Sequence, residues 1–383
     1  MHYSVAQPQL PLATYDPRPD TITELIHTAS ELSTVVEQIR RSAWVALDTE
    51  ADSLHAYPEK LCLIQLAFEG GEALVDPLAD LHLAPLWDSL DGRALIFHAA
   101  DYDLRLLFQG HHFRPTTIFD TMWAARMVGE ERFGLNDVLT RFLGITLEKG
   151  AQKANWGKRP LTDRMVTYAL NDVRHLRPLQ LLLSEKLTSC DRLDWHAQSC
   201  KRLIADCAKP GVIEHETVWR TKGHDRLDET GLAVLRELWH WRESDALRTG
   251  RPPFFILSHE MLGDLAAHAA EKGSTEGLRF PHFLTHRRRQ DVLAAIERGL
   301  AVPADKRPRH IRVHSRRMTR PELDLAEKYR CHRDAEARKL EIDPTLIASK
   351  STLFALGRQD PGQWEALLPW QRTLLNLDTS KPA

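Results

Sequence analysis

The sequence predicts an α/β domain built around one mixed sheet, followed by domains that consist only of helices. Short apolar runs alternate with amphipathic segments from about residue 25 to residue 205. From about residue 223 onward the periodic segments are helical, and none is convincing as a strand. The 383 residues, of which 43% are hydrophobic and 27% charged, are enough for the cores of two or three domains.

Apolar periodicity, turn residues and cap residues predict the elements of the first half. Gly70 and Gly71 predict a turn between two strands, and Gly110 predicts the end of a helix. Asp120 or Thr121 predicts the start of the next helix. The expected strands are WVALDTE, the two in LCLIQLAFEGGEALVDP, RALIFHA and TTIFDT. The expected helices are LAPLWDSL, DYDLRLLFQG, MWAARMVG, GLNDVLTRFLG and those within LTDRMVTYALNDVRHLRPLQLLLSEKL.

The second half contains a helical unit that recurs weakly. Residues 227–250 predict one amphipathic helix ended by Gly250, and Ser258 predicts the cap of the next helix after a proline break. Shifted by 91 positions, residues 241–262 overlie residues 332–353 with six identities in 22 positions. We therefore expect a second, degenerate copy of one small helical domain. The predicted divisions are an extension (1–24), the α/β domain (25–205), a linker (206–222), the first helical domain (223–303), a basic linker (304–320) and the second helical domain (321–375).

Charge and cysteine usage narrow the class of protein. Lys and Arg fall short of Asp and Glu in residues 1–200 (19 against 27) but exceed them in residues 201–383 (32 against 26). This asymmetry is compatible with metal-dependent chemistry in residues 1–200 and contact with a polyanion in residues 201–383. It is also compatible with a chance distribution of charged residues over solvated surfaces. The five cysteines include no C-x-x-C pair, no apolar run is long enough for a membrane span, and the N-terminus lacks signal-peptide features. We expect a cytoplasmic protein with reduced thiols and no membrane contact.

Acidic residues stand at strand ends and on apolar helices in three places. Asp48 and Glu50 share one face at the end of a buried strand, and Asp103 begins a helical run after another strand. Tyr168 and Asp172 are four apart and share one helix face. Each place alone has an ordinary explanation, such as helix capping or a Tyr–Asp hydrogen bond. We expect Asp52 only to extend the strand pattern.

Together the three places resemble the motifs of the DEDD exonucleases in their tyrosine-bearing branch. These motifs are D-x-E (48–50), an aromatic residue before Asp103, and Y-x-x-x-D (168–172). The strand LCLIQLA and the stretch 134–178, with W-x-x-R-P-L at 156–161, resemble ribonuclease D. Residues 223–303 resemble an HRDC domain. The resemblance implies a ribonuclease H-like exonuclease domain followed by one clear and one degenerate HRDC domain.

Converging carboxylates repel one another unless cations neutralise them, and an all-oxygen anionic site suits Mg²⁺ or Mn²⁺. The resemblance implies two such ions bound by Asp48, Glu50, Asp103 and Asp172. It places Asp48 between the ions, Glu50 and Asp172 with the attacking water, and Asp103 near the leaving group. It also implies that Tyr168 orients the water.

A second group of residues is a set of candidate nucleic-acid contacts. The segment LEKGAQKANWGKRPL interleaves cations with an aromatic ring, which suits phosphate contact and base stacking. The alternative is a solvated basic loop with a packed Trp. Residues 305–320 hold seven Lys or Arg and one Asp, and suit either RNA backbone contact or an exposed linker. The candidates are Gln65, His98, Lys149, Lys153, Trp156, Arg159, Arg312, Arg316 and Arg317.

The resemblance implies a divalent-metal-dependent 3′→5′ exoribonuclease that releases 5′-nucleoside monophosphates. The expected partners are RNA 3′ ends, such as tRNA precursors or other structured RNA, with no obligate protein partner. The alternatives are a DNA exonuclease of the same chemistry and an inactive nucleic-acid-binding scaffold. The complete acidic set argues against the scaffold.

Overall fold

The computed structural model describes residues 25–148, 150–209, 217–311 and 316–376. Six strands form one sheet in the order β1-β4-β3-β2-β5-β6. β3 is antiparallel to β2 and β4, and the other neighbouring pairs are parallel, which confirms the mixed sheet. The strands are β1 (Leu25–Ile26), β2 (Trp44–Ala51), β3 (Leu61–Phe68), β4 (Gly71–Val75), β5 (Ala94–Phe97) and β6 (Ile118–Asp120).

Seventeen α-helices lie within the described ranges. Those that follow or interrupt the sheet are α1 (Ala29–Arg41), α2 (Ala84–Leu90), α3 (Asp101–His111), α4 (Thr121–Met127), α5 (Leu135–Leu143), α6 (Asp163–Arg174), α7 (Leu176–Ser189) and α8 (Leu193–Cys207). The remainder are α9 (Glu229–Thr249), α10 (Pro253–Ile256), α11 (His259–Lys272), α12 (His286–Leu300), α13 (Arg320–Leu340), α14 (Pro344–Ile347), α15 (Lys350–Gly357), α16 (Pro361–Ala366) and α17 (Pro369–Leu375). No helix among these is long and apolar enough to cross a membrane.

The two faces of the sheet are covered by different helices. Val45 and Leu47 of β2 belong to a core that also contains side chains of α1, α2, α3 and α8. Trp44 and Ala46, which alternate with them, pack against Val173 and Leu176 of α6 and α7. This alternation follows from the two-residue period of a strand. It leaves the next residues along β2 pointing alternately toward α6 and toward α3.

The first helical domain has its own core and contacts the loop that follows β2. Its α9, α11 and α12 enclose an apolar cluster around Leu235, Leu262 and Ile296. Its contact with the α/β domain runs through Tyr57. The Tyr57 backbone N–H donates to the Gly250 carbonyl (3.2 Å), and its hydroxyl donates to the Glu243 carboxylate (2.7 Å).

The second helical domain packs directly on the α/β domain. Side chains of α4, α5 and α7 share one apolar cluster with α13, α14, α15 and α17. The rings of Trp195 and Trp370 stack with their centroids 5.0 Å apart and their planes nearly parallel. The two domains therefore share a continuous core instead of meeting at a polar surface.

The helical unit that the sequence repeat predicts is found in both helical domains. Pro253 and Pro344 each begin a one-turn helix, and Ser258 and Ser349 each cap the helix that follows. Arg242 donates to the Leu257 carbonyl (3.2 Å), and Arg333 donates to the Ala348 carbonyl (2.8 Å). These donors and acceptors are related by the same shift of 91 positions, so the copies share a hydrogen bond as well as an element order.

One predicted helix boundary is wrong. Helix α3 does not end at Gly110 but continues to His111, and His112 takes the left-handed conformation (φ 54°). A single helical glycine costs only about 1 kcal/mol, so the later turn toward buried Phe113 decides the end. Gly250 does end α9 in the left-handed conformation (φ 64°), as predicted.

Candidate active site

Two acids of the site come from the end of β2. Asp48 and Glu50 continue the side of the strand that packs under α6, and Asp48 lies opposite Gln65 of antiparallel β3. The register shifts between Glu50 and Ala51, where the strand ends and the loop to β3 begins. The apolar half of the strand anchors the sheet, and the acidic half presents carboxylates at its edge.

Helix α6 brings the third acid to the same place. Thr162 caps the helix by accepting a hydrogen bond from the Met165 N–H (3.3 Å). Ala169 and Val173 pack on the sheet, and Asp172 precedes Val173 on the side toward β2. Carboxylate oxygens of Asp48, Glu50 and Asp172 all lie within 4.8 Å of one another. The sequence motifs at 48–50 and 172 therefore converge.

Asp103 comes from the first turn of α3, and it is 5% exposed. The start of this helix is fixed by the Asp120 carboxylate, which accepts from the backbone N–H of Ala99 (3.2 Å) and Ala100 (2.9 Å). The Asp103 carboxylate accepts a hydrogen bond from the Thr49 hydroxyl (2.5 Å) and lies outside the group of three acids. Thr49 could not be predicted from the sequence, because the middle residue of D-x-E carries no signal of its own.

Burial and mutual repulsion raise the pKa of the four acids. Loss of hydration is the largest cause in each case, and neighbouring carboxylates add to it. The pKa of Asp48 lies well above its ordinary value, and that of Glu50 rises to about 9. The pKa of Asp172 rises to about 7 and that of Asp103 to about 6. A site made only of carboxylates that repel one another fits a divalent cation.

Tyr168 lies one helical turn before Asp172, and its hydroxyl hydrogen-bonds to the Asp172 carboxylate. Burial, followed by the charges of the nearby acids, raises the pKa of the phenol above its ordinary value. The ring packs beside Trp156, with centroids 6.1 Å apart. A Cβ on Gly150 would lie 1.8 Å from the ring, so only glycine lets this loop close over Tyr168. The phenol is thus held in place as a neutral group.

Three of the candidate nucleic-acid contacts are engaged in packing or in hydrogen bonds within the protein. Gln65 and Trp156 are 0% and 1% exposed, so neither can touch RNA in this conformation. Arg159 uses its five N–H donors on the Asp76 carboxylate and on backbone carbonyls of residues 62, 156 and 158. Trp156 is therefore packed, as in the alternative, and Arg159 anchors the loop.

The other candidate contacts are exposed, half-buried or outside the described residues. Lys153, Arg316 and Arg317 are exposed, and Arg316 pairs with Glu322. His98 is half-buried with Nδ1 2.9 Å from the Thr121 hydroxyl, and burial lowers its pKa to about 4. Lys149 and Arg312 lie outside the described residues. Contact of these residues with RNA stays a prediction.

Three other acids near the motifs make hydrogen bonds or ion pairs within the protein. Asp52 is buried, and its carboxylate accepts from the Lys60 N–H (2.7 Å) across the loop after β2. Asp101 occupies the first helical position of α3 and pairs with Arg105 (3.0 Å), so it does not cap this helix. Asp120 caps α4 as predicted, accepting from Met122 and Trp123, and thereby serves the starts of two helices.

Comparisons with known proteins agree with this geometry. Residues 23–188 match the family model of the 3′-5′ exonuclease domain, and residues 231–272 match that of the HRDC domain. A ribonuclease D of Gluconacetobacter diazotrophicus is 30% identical over 370 residues, which are 93% of this chain and 91% of the relative. The chain belongs to the ribonuclease D family. It is accordingly a hydrolytic 3′→5′ exoribonuclease.

Two solved structures share the fold of nearly the whole chain. Escherichia coli RNase D superposes with a TM-score of 0.71 at 24% identity, covering 91% of this chain and 92% of that one. A protein from Bifidobacterium adolescentis superposes with a TM-score of 0.78 at 22% identity, covering 93% and 96%. These likenesses confirm the predicted architecture of an α/β exonuclease domain followed by helical domains.

Proposed function

We propose that Asp48, Glu50, Asp103 and Asp172 hold two divalent cations, Mg²⁺ or Mn²⁺, for hydrolysis at RNA 3′ ends. The observation that carries the proposal is the half-buried group of three carboxylates within 4.8 Å, with Asp103 close enough to raise their pKa values. The expected products are 5′-nucleoside monophosphates.

The role proposed for each acid is the one that the family resemblance implies, and the positions of the acids support it. Bound cations would stabilise charge on the attacking and leaving oxygens of the phosphodiester. Asp48, the innermost of the two β2 acids, would contact both ions, with Glu50 and Asp172 completing one of them. Asp103, which stands outside that group of three, would hold the other ion on the side of the leaving group.

Tyr168 would orient the attacking water. Its hydroxyl is already bonded to Asp172, and its raised pKa keeps it protonated at neutral pH. A neutral phenol is a poor proton acceptor but a good hydrogen-bond partner. The role of Tyr168 is therefore positional.

The matched variants D103N and D101N test the carboxylate assignment on one helix. Full-length chain is incubated with 3′-extended, 5′-labelled RNA and with a DNA of the same sequence, in Mg²⁺, Mn²⁺ or EDTA. The rate of RNA hydrolysis by D103N should be lower than that of wild type by about 10²-fold or more, because the variant removes one charged ligand. D101N removes only an exposed charge paired with Arg105, and should behave as wild type.

Degradation that survives EDTA, or that is equal in D103N and wild type, would contradict the two-cation assignment. Preferential degradation of the DNA would contradict the RNA substrate and leave the metal assignment in place.

We further propose that the substrates are structured RNAs such as tRNA precursors. The related Escherichia coli enzyme is described as an exoribonuclease involved in structured RNA processing. In this chain, exposed Arg316 and Arg317 lie in the basic linker just before the second helical domain and would contact RNA phosphates.

The salt dependence of RNA binding tests this contact. Removing two phosphate contacts in R316A/R317A should reduce the slope of log affinity against log salt by about 1.4. The matched variant R40A/R41A removes two exposed arginines from α1 and should leave the slope unchanged. Equal slopes for all three proteins would exclude Arg316 and Arg317 from the RNA interface.

A further inference from the structure

Thr49 stands between the two acids of β2 but faces the other side of the sheet. Asp48 and Glu50 continue the row of Trp44 and Ala46, which packs under α6 and α7. Thr49 continues the row of Val45 and Leu47, which packs in the core that contains α3. The stretch 48–50 therefore reaches acids on two different elements.

The Thr49 hydroxyl donates to the Asp103 Oδ1 atom at 2.5 Å, and both side chains are buried. The backbone of α3 is held at its start by Asp120, but that contact leaves the side-chain torsions of Asp103 free. A β-branched side chain in a strand has restricted rotation, so its hydroxyl is a rigid donor. The Thr49 hydroxyl thus fixes Oδ1 of Asp103, and the backbone N–H groups of Thr49 and Asp103 also donate to this carboxylate.

We infer that Thr49 is a positioning residue that orients Asp103 toward the cation on the leaving-group side. This inference rests on the two-cation function proposed above. Thr49, which stands between two proposed ligands, would thus support a third ligand that lies 54 positions later in the chain. Groups that orient a metal ligand in this way commonly contribute 10- to 100-fold to metal affinity or activity.

Variants T49V and T49S separate the hydroxyl from the shape of the side chain. Valine keeps the branched shape without the donor, and serine keeps the donor. The full-length chain is titrated with Mn²⁺ in a calorimeter without RNA, and the half-saturating Mn²⁺ for hydrolysis is measured separately. T49V should weaken one class of ion by about 10- to 100-fold, the same class that D103N weakens, and T49S should stay close to wild type.

T121V is the matched control, because it also removes a buried threonine hydroxyl, one that donates to the Phe97 carbonyl (3.0 Å) and not to an acid. It should bind Mn²⁺ as wild type does. Wild-type binding by T49V, or equal impairment in T49V and T49S, would overturn the role of Thr49. A wild-type chain that binds no Mn²⁺ and degrades RNA in EDTA would instead overturn the proposed two-cation function itself.

Discussion

At the residue scale, Tyr168 shows how packing defines the role of a side chain. Its ring lies between Trp156 and the backbone at Gly150, and its hydroxyl is bonded to Asp172. Burial and the nearby acids keep the phenol neutral by raising its pKa. Its contribution to the reaction is therefore expected in the placement of water and not in proton removal.

For Y168F we expect kcat to fall by about 10²-fold, the loss that misplacing a reacting group by about 1 Å can produce. KM for RNA and the thermal midpoint should change little, because the ring and its packing remain. Steady-state kinetics on a short 3′-labelled RNA measure the change, with Y329F in the second helical domain as the control. An unchanged kcat would show that the hydroxyl of Tyr168 does not act in the reaction.

At the element scale, the two copies of the helical unit are used differently. In the second copy Leu346 is buried in the core shared with the α/β domain. The corresponding residue of the first copy, Phe255, is 58% exposed. Gly129 allows the second copy to approach, since a Cβ there would lie 2.5 Å from the Glu341 carbonyl oxygen. One repeat has become part of the catalytic domain's core, and the other has kept a free surface.

Arg192, immediately before α8, joins the two domains by donating to the carbonyls of Met127 (2.6 Å) and Leu340 (2.7 Å). R192A should destabilise the chain by about 3 kcal/mol, because one buried and one half-buried carbonyl lose a charged donor. Urea unfolding measures the loss, and hydrogen exchange should show faster opening of α13–α17 than of α9–α12. The control R105A breaks an exposed ion pair on α3. It should change the free energy of unfolding by less than about 0.5 kcal/mol. Equal effects of the two variants would contradict this interface.

At the scale of the whole molecule, the acidic cluster links stability to pH and to metal. The folded pKa of each acid lies above its unfolded value, so folding disfavours the charged form. The stability that these groups have when protonated is therefore lost as pH rises from about 4 toward about 9, the pKa of Glu50. Cation binding removes this penalty by pairing the charges.

We expect the contribution of this cluster to lower the thermal midpoint of the metal-free chain between pH 6 and about pH 9. The increase in midpoint caused by Mn²⁺ should be larger at the higher pH, because fewer protons must be released on binding. Thermal unfolding with EDTA or Mn²⁺ across this range measures both effects. In E50Q the pH-dependent fall should become shallower and the Mn²⁺ effect smaller. A Mn²⁺ effect that is independent of pH would contradict the link.

The amino-acid sequence by itself determined the helices and strands that carry the motif residues, and it placed these residues in order along them. Periodicity, caps and turns act over a few residues, so β2, α6, the Ser258 cap and the helical repeat could all be predicted. The resemblance to a known exonuclease family then supplied the expectation that 48–50, 103 and 168–172 meet.

Tertiary structure decided which side chains are enclosed and which partners they have. Trp156 and Gln65 are buried and Arg159 is fully bonded, although their local sequence favours nucleic-acid contact. The Thr49–Asp103 hydrogen bond and the shared core of the second helical domain join residues far apart in the chain. Burial and hydrogen-bond partners depend on packing between distant segments, and local sequence patterns carry no record of that packing.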